Sequence, residues 1–309
     1  MYYIKKIKLS IVSKYYRYKF SLNAAAGICH GPIDPLFTFK RTVCLAVYPS
    51  HVHLGDQLFH LPMVHMLISQ GIAVHILGPT PLAFLFEAMG CQIRSNGQSS
   101  PGSVIVTKWD CLPEVIHEPG GYFFGLNYRR MTGPGRIGDL ISNAVRSALS
   151  QWISVKKMEF PGIDSYLGMT EMPARSWPPG PIVVVNNCVN SNRVNARLKQ
   201  RSFWTRVCQL KHNATVLFIG ECSNTPLPAW VDQDYRGQLS FPELFRLCHT
   251  HASQITLVTF DTVIAHIGVL CGVSAVHVVC KSNKQLVSQR FVPFVSIANY
   301  PSTQCLQLY

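Results

Sequence analysis

The chain has 309 residues, 28 Lys and Arg against 15 Asp and Glu, and 11 cysteines. A hydrophobic share of 48% beside 14% charged residues excludes a disordered chain, and the length suffices to bury a large core without disulfide or metal staples. No run approaches the ~18 apolar residues of a spanning helix, and no clean apolar block with a small-residue cleavage site follows the basic start, so neither a membrane span nor a secretory signal is expected.

The net charge is +13. Residues 1–20 carry six of these charges, on Lys5, Lys6, Lys8, Lys14, Arg17 and Lys19, with no acid among them. Cations interleaved with Tyr, Ile and Phe suit an anionic membrane surface, nucleic acid or a solvated arm. The cysteines are odd in number, form no C-x-x-C pair, and several lie in apolar runs. They read as reduced thiols packed as small hydrophobes in a cytosolic protein.

Taken in order, Val43 to Tyr48 is an apolar run stopped by Pro49, which predicts a buried parallel strand. A short loop leads to Gly55-Asp56, after which Leu58, Leu61, Met63, Val64, Leu67 and Ile68 fall at helical spacing and Gly71 ends the helix. Ile72–Leu77 reads as a strand, Pro81–Met89 as a helix, Ser103–Val106 as a strand and Ile137–Val155 as a helix. Four prolines between Pro173 and Pro181 form a stiff linker. Beyond it come strand Ile182–Val185, helix Phe203–Leu210, strand Thr215–Ile219, and helix Ser240–His249 with Ser240 and Glu243 as a capping box. Strand Ile255–Val258, helix Asp261–Leu270 and strand Val273–Val279 follow.

Strands alternating with helices predict an α/β fold with parallel sheets. The organisation expected is a basic N-terminal arm over 1–40, a Rossmann-like domain over 41–172, the Pro-rich linker over 173–181, and a second Rossmann-like domain over 182–309. Ligands of such sheets bind beyond the carboxyl ends of the strands, and acids are scarce enough that one at a strand end is informative. Asp56 is either a first-turn acid stabilised by the helix dipole or a general base. Asp261 and Thr262 open a helix, either as a plain N-cap or as a grip for a diphosphate or sugar with the free N–H groups. His266 is a packing residue or a further contact. Asn186, Asn187, Asn190, Asn192 and Arg193, followed by Arg197, Lys199 and Arg201, form a solvated loop or a phosphate-recognition cluster. No P-loop, G-x-G-x-x-G or G-x-S-x-G motif and no metal site is visible.

Gly55-Asp56-Gln57-Leu58-Phe59-His60-Leu61-Pro62, after a strand and loop, resembles the N-terminal motif of glycosyltransferase family 9, the ADP-heptose:lipopolysaccharide heptosyltransferases. The segment from Asp261 to Val273 resembles that family's D-[TS]-G-x-x-H helix and following strand, with Val263 in place of the Gly and Ser274 in place of a Pro. Gly237 to Leu244 matches its G-x-x-S-x-x-E-L stretch.

The resemblance implies a GT-B fold, two Rossmann-like domains with parallel sheets facing an inter-domain cleft, and inverting, metal-independent sugar transfer from a nucleotide sugar, an ADP-sugar being favoured, with no cofactor. It implies Asp56 as the catalytic base, and Asp261, Thr262 and His266 as holders of the donor's sugar and diphosphate. Arg197 or Lys199 would be the phosphate cation, with Asn187 and Glu221 near the donor. The acceptor is a glycan or lipid-linked hydroxyl, and residues 1–20 would rest on an anionic inner leaflet from the cytoplasmic side. Two other function classes are a non-catalytic relative that binds a nucleotide sugar or glycan, and a nucleic-acid-binding protein. The second has only charge behind it and no reading motif.

Overall fold

The computed structural model describes residues 28–30, 37–47, 53–108, 122–126, 137–168, 175–186, 203–205, 207–220, 226–260, 262–280 and 303–307. By contacts the chain divides into two compact units, Met1–Phe160 and Pro161–Tyr309. Each is an α/β unit on a six-stranded sheet.

The first unit contains β1 (Ile28–His30), β2 (Thr42–Ala46), β3 (Ala73–Leu77), β4 (Gln92–Arg94), β5 (Val104–Lys108) and β6 (Tyr122–Leu126). Their spatial order is β1-β6-β5-β2-β3-β4. All neighbours are parallel except β1, which runs antiparallel to β6. The chain builds outward from β2 to β3 and β4, then returns to the other side of β2 for β5 and β6. Its direction therefore reverses between β2 and β5, which is the topological switch point of a doubly wound sheet.

The second unit repeats this logic with β7 (Ile182–Asn186), β8 (Thr215–Phe218), β9 (Gln233–Asp234), β10 (Ile255–Phe260), β11 (Ala275–Cys280) and β12 (Thr303–Gln307). The order is β12-β11-β10-β7-β8-β9, all parallel. Here the reversal lies between β7 and β10. Val183, Val185, Val258 and Phe260 pack one face of this sheet against Phe203 and Val207. The opposite face meets a later helix described below, so the central strands are covered twice, which is why they read as continuous apolar runs.

The helices of the first unit are α1 (Leu54–Leu58), α2 (Leu61–Ile68), α3 (Ala83–Ala88) and α4 (Ile137–Leu149). The continuous helical pattern expected after Asp56 is in fact split into α1 and α2. Pro62 stands at the start of α2 and cannot donate to the preceding turn. Phe59 N and His60 N therefore close short turns to Asp56 O and Gln57 O at 3.2 and 3.1 Å. Gly71, at φ 69°, ends the segment in the left-handed region that favours glycine.

Helix α4 buries Ile137, Ile141, Val145 and Ala148, one face at helical spacing. Each large apolar side chain so buried contributes roughly 1.5–3 kcal/mol relative to exposure. The helix ends at Leu149, not at Val155 as the pattern suggests. Ser150 Oγ bonds back to Ser147 O at 2.6 Å, an alternative to helix continuation that Ser readily offers. Trp152 then turns into an aromatic cluster, edge-on to Tyr122 at 4.7 Å and beside Phe37 and Phe39.

The second unit contains α5 (Asp164–Leu167), α6 (Phe241–Thr250) and α7 (Val263–Leu270), besides helical residues at 203–205 and 207–210. Helix α6 carries the expected capping box: Ser240 Oγ accepts from Glu243 N, and Glu243 Oε2 accepts from Ser240 N at 2.8 Å. That backbone bond, with Arg175 as a lesser cause, holds the Glu243 carboxyl below the usual range. Arg175, in the Pro-rich stretch, pairs with Glu243 at 3.6 Å and lies over Tyr235, so this stretch packs on the second unit. Among the described residues no helix is long and apolar enough to cross a membrane. Among the described cysteines Cys44, Cys91, Cys248 and Cys271 are buried and Cys208 is exposed. Burial pushes the Cys91 and Cys248 thiols up to about 12.

Candidate functional site

In the first unit one cluster of polar side chains lies at the switch point. Asp56 lies in the first turn of α1, just beyond the carboxyl end of β2. Lys108 is the last residue of β5, the strand paired with β2 on the other side of the reversal. Its Nζ is 3.1 Å from Asp56 Oδ2. The two side chains are only 20% and 13% exposed, Lys108 and Asp56 respectively, so water screens them less than a surface pair.

The backbone under Asp56 is held from several directions. His60 Nδ1 donates to Asp56 O at 3.0 Å, which places the proton of the neutral ring on Nδ1, since a carbonyl can only accept. His60 is 1% exposed, and burial drives its pKa down to about 4, against smaller opposing effects from the Asp56 charge and backbone. Next to Asp56, the buried Gln57 accepts a 2.6 Å bond at Oε1 from Thr80 Oγ1, which lies beyond β3. Thr80 Oγ1 in turn accepts from Leu82 N at 3.0 Å. Residues from β2, β3 and β5 ends thus converge on one turn of helix. The carboxylate can accept hydrogen bonds or take a proton, and the ammonium beside it fixes one oxygen.

The second unit has its own polar group at its own switch point. Asn186 ends β7 and is buried. Thr259, near the end of β10, is fully buried, and Thr262 follows at the N-cap position of α7. Thr262 Oγ1 lies 3.2 Å from Thr259 Oγ1 and accepts from Asn186 Nδ2 at 3.4 Å. The hydroxyl is engaged there and makes no cap bond to its own helix. His266 stands one turn further along α7, buried.

Gly268 explains how this helix reaches the sheet. A Cβ at that position would come 2.5 Å from Leu257 Cδ2 and 3.4 Å from Val276 Cγ2. Leu257 and Val276 belong to β10 and β11, both fully buried. The missing side chain lets α7 settle on these strands, which carries its first residues to the carboxyl edge.

Of the residues singled out from the sequence, Asp56 stands at the first switch point, and Thr262 and His266 lie together on and beside the start of α7. Asn187, Arg197, Lys199, Glu221 and Asp261 lie outside the described residues, as do residues 1–20. Lys108, Gln57, Thr80 and Thr259 were not singled out. The available signal was positional: Thr107-Lys108 closes an apolar strand run, and strand ends flanking a reversal are where such sheets present ligand-binding groups.

No family model matches the chain, and no curated protein matches it in sequence. Solved structures do match in fold. A glycosyl transferase family 9 protein from Veillonella parvula aligns over 90% of this chain and 89% of its own, with 11% identity and a TM-score of 0.51. The iron-containing dodecameric glycosyltransferase TibC of enterotoxigenic E. coli aligns over 79% of this chain at 11% identity, TM-score 0.48. TibC in complex with ADP-D-beta-D-heptose aligns over 80% at 13% identity, TM-score 0.47. This chain spans about 60% of TibC's length. The two-unit α/β fold of this chain is therefore like that of a glycosyltransferase of family 9, the family its motifs resemble.

Proposed function

We propose that this protein is a glycosyltransferase of GT-B organisation. It moves a sugar, heptose-like, from a nucleotide-diphosphate donor to a hydroxyl of a glycan or glycolipid, with inversion and without a metal. The observation that supports this reading most is Asp56, a half-buried carboxylate at the switch point of the first sheet, on the residues that carry the family resemblance. A base is what an inverting transfer needs there.

In this reading Asp56 takes the proton of the acceptor O–H while that oxygen attacks the anomeric carbon from the side opposite the leaving group. The bond from the anomeric carbon to the diphosphate oxygen breaks, and its electron pair departs on the diphosphate. Thr262, His266 and Asp261 hold the donor beyond β10. Arg197 or Lys199, with the start of α7, offsets the charge that develops on the leaving group. Asn187 and Glu221 complete the donor side. An ADP-sugar is the donor class the motifs imply, and residues 1–20 supply contact with an anionic membrane surface bearing a lipid-linked acceptor.

One feature favours a second reading, a non-catalytic nucleotide-sugar binder: α7 opens on Val263, where the family motif has glycine and a closer approach of backbone to ligand. The test is a panel of ADP-, GDP-, UDP- and CDP-sugars, read by thermal shift and by nucleotide release. Stabilisation by one donor with release of its nucleotide supports the transferase. Stabilisation without release supports the binder, and no stabilisation by any donor overturns both.

A further inference from the structure

Resting on the reading of Asp56 as the base, we propose that Lys108 is the positioning residue of this site: its ammonium anchors one oxygen of the Asp56 carboxylate so that the other is presented to the incoming hydroxyl.

The peptide of Asp56 is already fixed. Phe59 N and His60 Nδ1 both donate to its carbonyl, and the neighbouring Gln57 is tied to Thr80 at 2.6 Å. What these bonds leave free are the two side-chain torsions of Asp56. Lys108 Nζ, 3.1 Å from Oδ2, acts on those torsions. The lysine is itself well placed to do so, because its backbone is paired with β6 at the end of a strand that is held on its other side by β2 two residues earlier. β5 pairs with β2 through Val104 and Val106 and with β6 through Lys108, opposite Leu126. An anchor of this kind has to come from the strand across the switch point, since that strand end faces the helix following β2. A carboxylate has lone pairs on both oxygens, so engaging Oδ2 leaves the group able to accept a proton at Oδ1. The acceptor proton passes to Oδ1, Lys108 keeps all three of its own, and the contact on Oδ2 becomes a bond from an ammonium to a neutral acid.

A purely structural counter-ion would act differently. It would lower stability when removed without a selective effect on turnover. The test uses the full chain and its Lys108→Met, Lys108→Arg and Lys108→Ala variants, with ADP-heptose as probe, water as acceptor, and ADP release as readout. Mispositioning of a reacting group by ~1 Å costs ~100-fold in rate, so Lys108→Met is expected to lose about that in kcat with KM for ADP-heptose within ~3-fold. Lys108→Arg is expected to stay within ~5-fold of the parent, and ethylammonium to restore Lys108→Ala by ~10-fold or more, since both return a cation to Oδ2. Parent-like turnover in Lys108→Met overturns the proposal, and so does a loss in folded protein that neither Arg nor ethylammonium repairs. Should Lys108→Met not fold, Lys108→Gln replaces it, with a loss of the same kind. If the parent releases no nucleotide from any donor of the panel, the transferase reading fails by itself. Crystal structures of the parent and Lys108→Met then decide positioning: a rotated Asp56 carboxylate in the variant supports the role, and an unmoved one overturns it.

Discussion

Lys108 Nζ stands 3.1 Å from Asp56 Oδ2, joining the end of β5 to the helix that follows β2. The contact bridges the two strands between which the chain reverses direction, the place where doubly wound sheets open a ligand crevice. The second unit places Asn186, Thr259 and Thr262 at the equivalent reversal between β7 and β10. Each sheet thus carries a hydrogen-bonded polar group at the point its topology marks.

His60 links this site to the pH dependence of folding. Its pKa is lowered to about 4 in the folded chain by burial, against ~6.5 when unfolded. The stability tied to its neutral ring is present above the unfolded value and is lost as pH falls toward the folded one, because the unfolded chain then binds a proton that the folded chain does not. Between pH 7 and pH 5 this amounts to about 2 kcal/mol. Urea unfolding of the parent and His60→Gln at the two pH values checks it. The variant is less stable at pH 7, and its loss between pH 7 and pH 5 is smaller than the parent's by about that amount. Equal losses in the two proteins contradict the assignment.

Gly268 is required by the close approach of α7 to β10 and β11. In Gly268→Val the branched side chain meets the buried Leu257, whose Cδ2 would already lie 2.5 Å from a Cβ, and Val276, whose Cγ2 would lie 3.4 Å from it. Overpacking of this kind costs ~1–3 kcal/mol, more than the few tenths regained from helix propensity. The melting temperature is expected to fall by several degrees, and an unchanged value contradicts the packing described.

Ser240 and Glu243 satisfy the first turn of α6 reciprocally. Ser240→Ala removes the acceptor for Glu243 N and is expected to cost about 1 kcal/mol in denaturant unfolding. A loss below the error of the measurement shows that Glu243 Oε2, bonded to Ser240 N at 2.8 Å, caps the helix alone.

The central strands were legible because strands covered on both faces are apolar throughout. Val43–Val47 and Ile182–Val185 need no alternation to be recognised. Edge strands give no such signal. Gln92–Arg94 and Gln233–Asp234 are short, half-buried or exposed and largely polar, and only their pairing identifies them. Tyr122–Leu126 was legible in principle, as an apolar run after Gly120-Gly121, and is buried throughout. Hydrophobic spacing alone predicts one helix after Asp56, and Pro62 at the start of α2 is what divides it. Asp56 itself could be singled out, because an acid at a strand end is rare in this chain. Its partner could not: Lys108 is 52 residues away in sequence, and they meet only because β5 returns to lie beside β2. That return is a property of the sheet order, which local pattern does not encode.

The central claim is that Asp56 is the base of a sugar transfer. Its most direct measurement is single-turnover nucleotide release and sugar transfer by Asp56→Asn, beside the parent, with the donor that the nucleotide-sugar panel selects. Asn keeps the size and hydrogen-bonding reach of the side chain but accepts no proton. The expected rate is at least ~1,000-fold below the parent, with donor affinity within ~3-fold. A variant that turns over within ~10-fold of the parent contradicts it, because general-base removal costs at least ~100-fold.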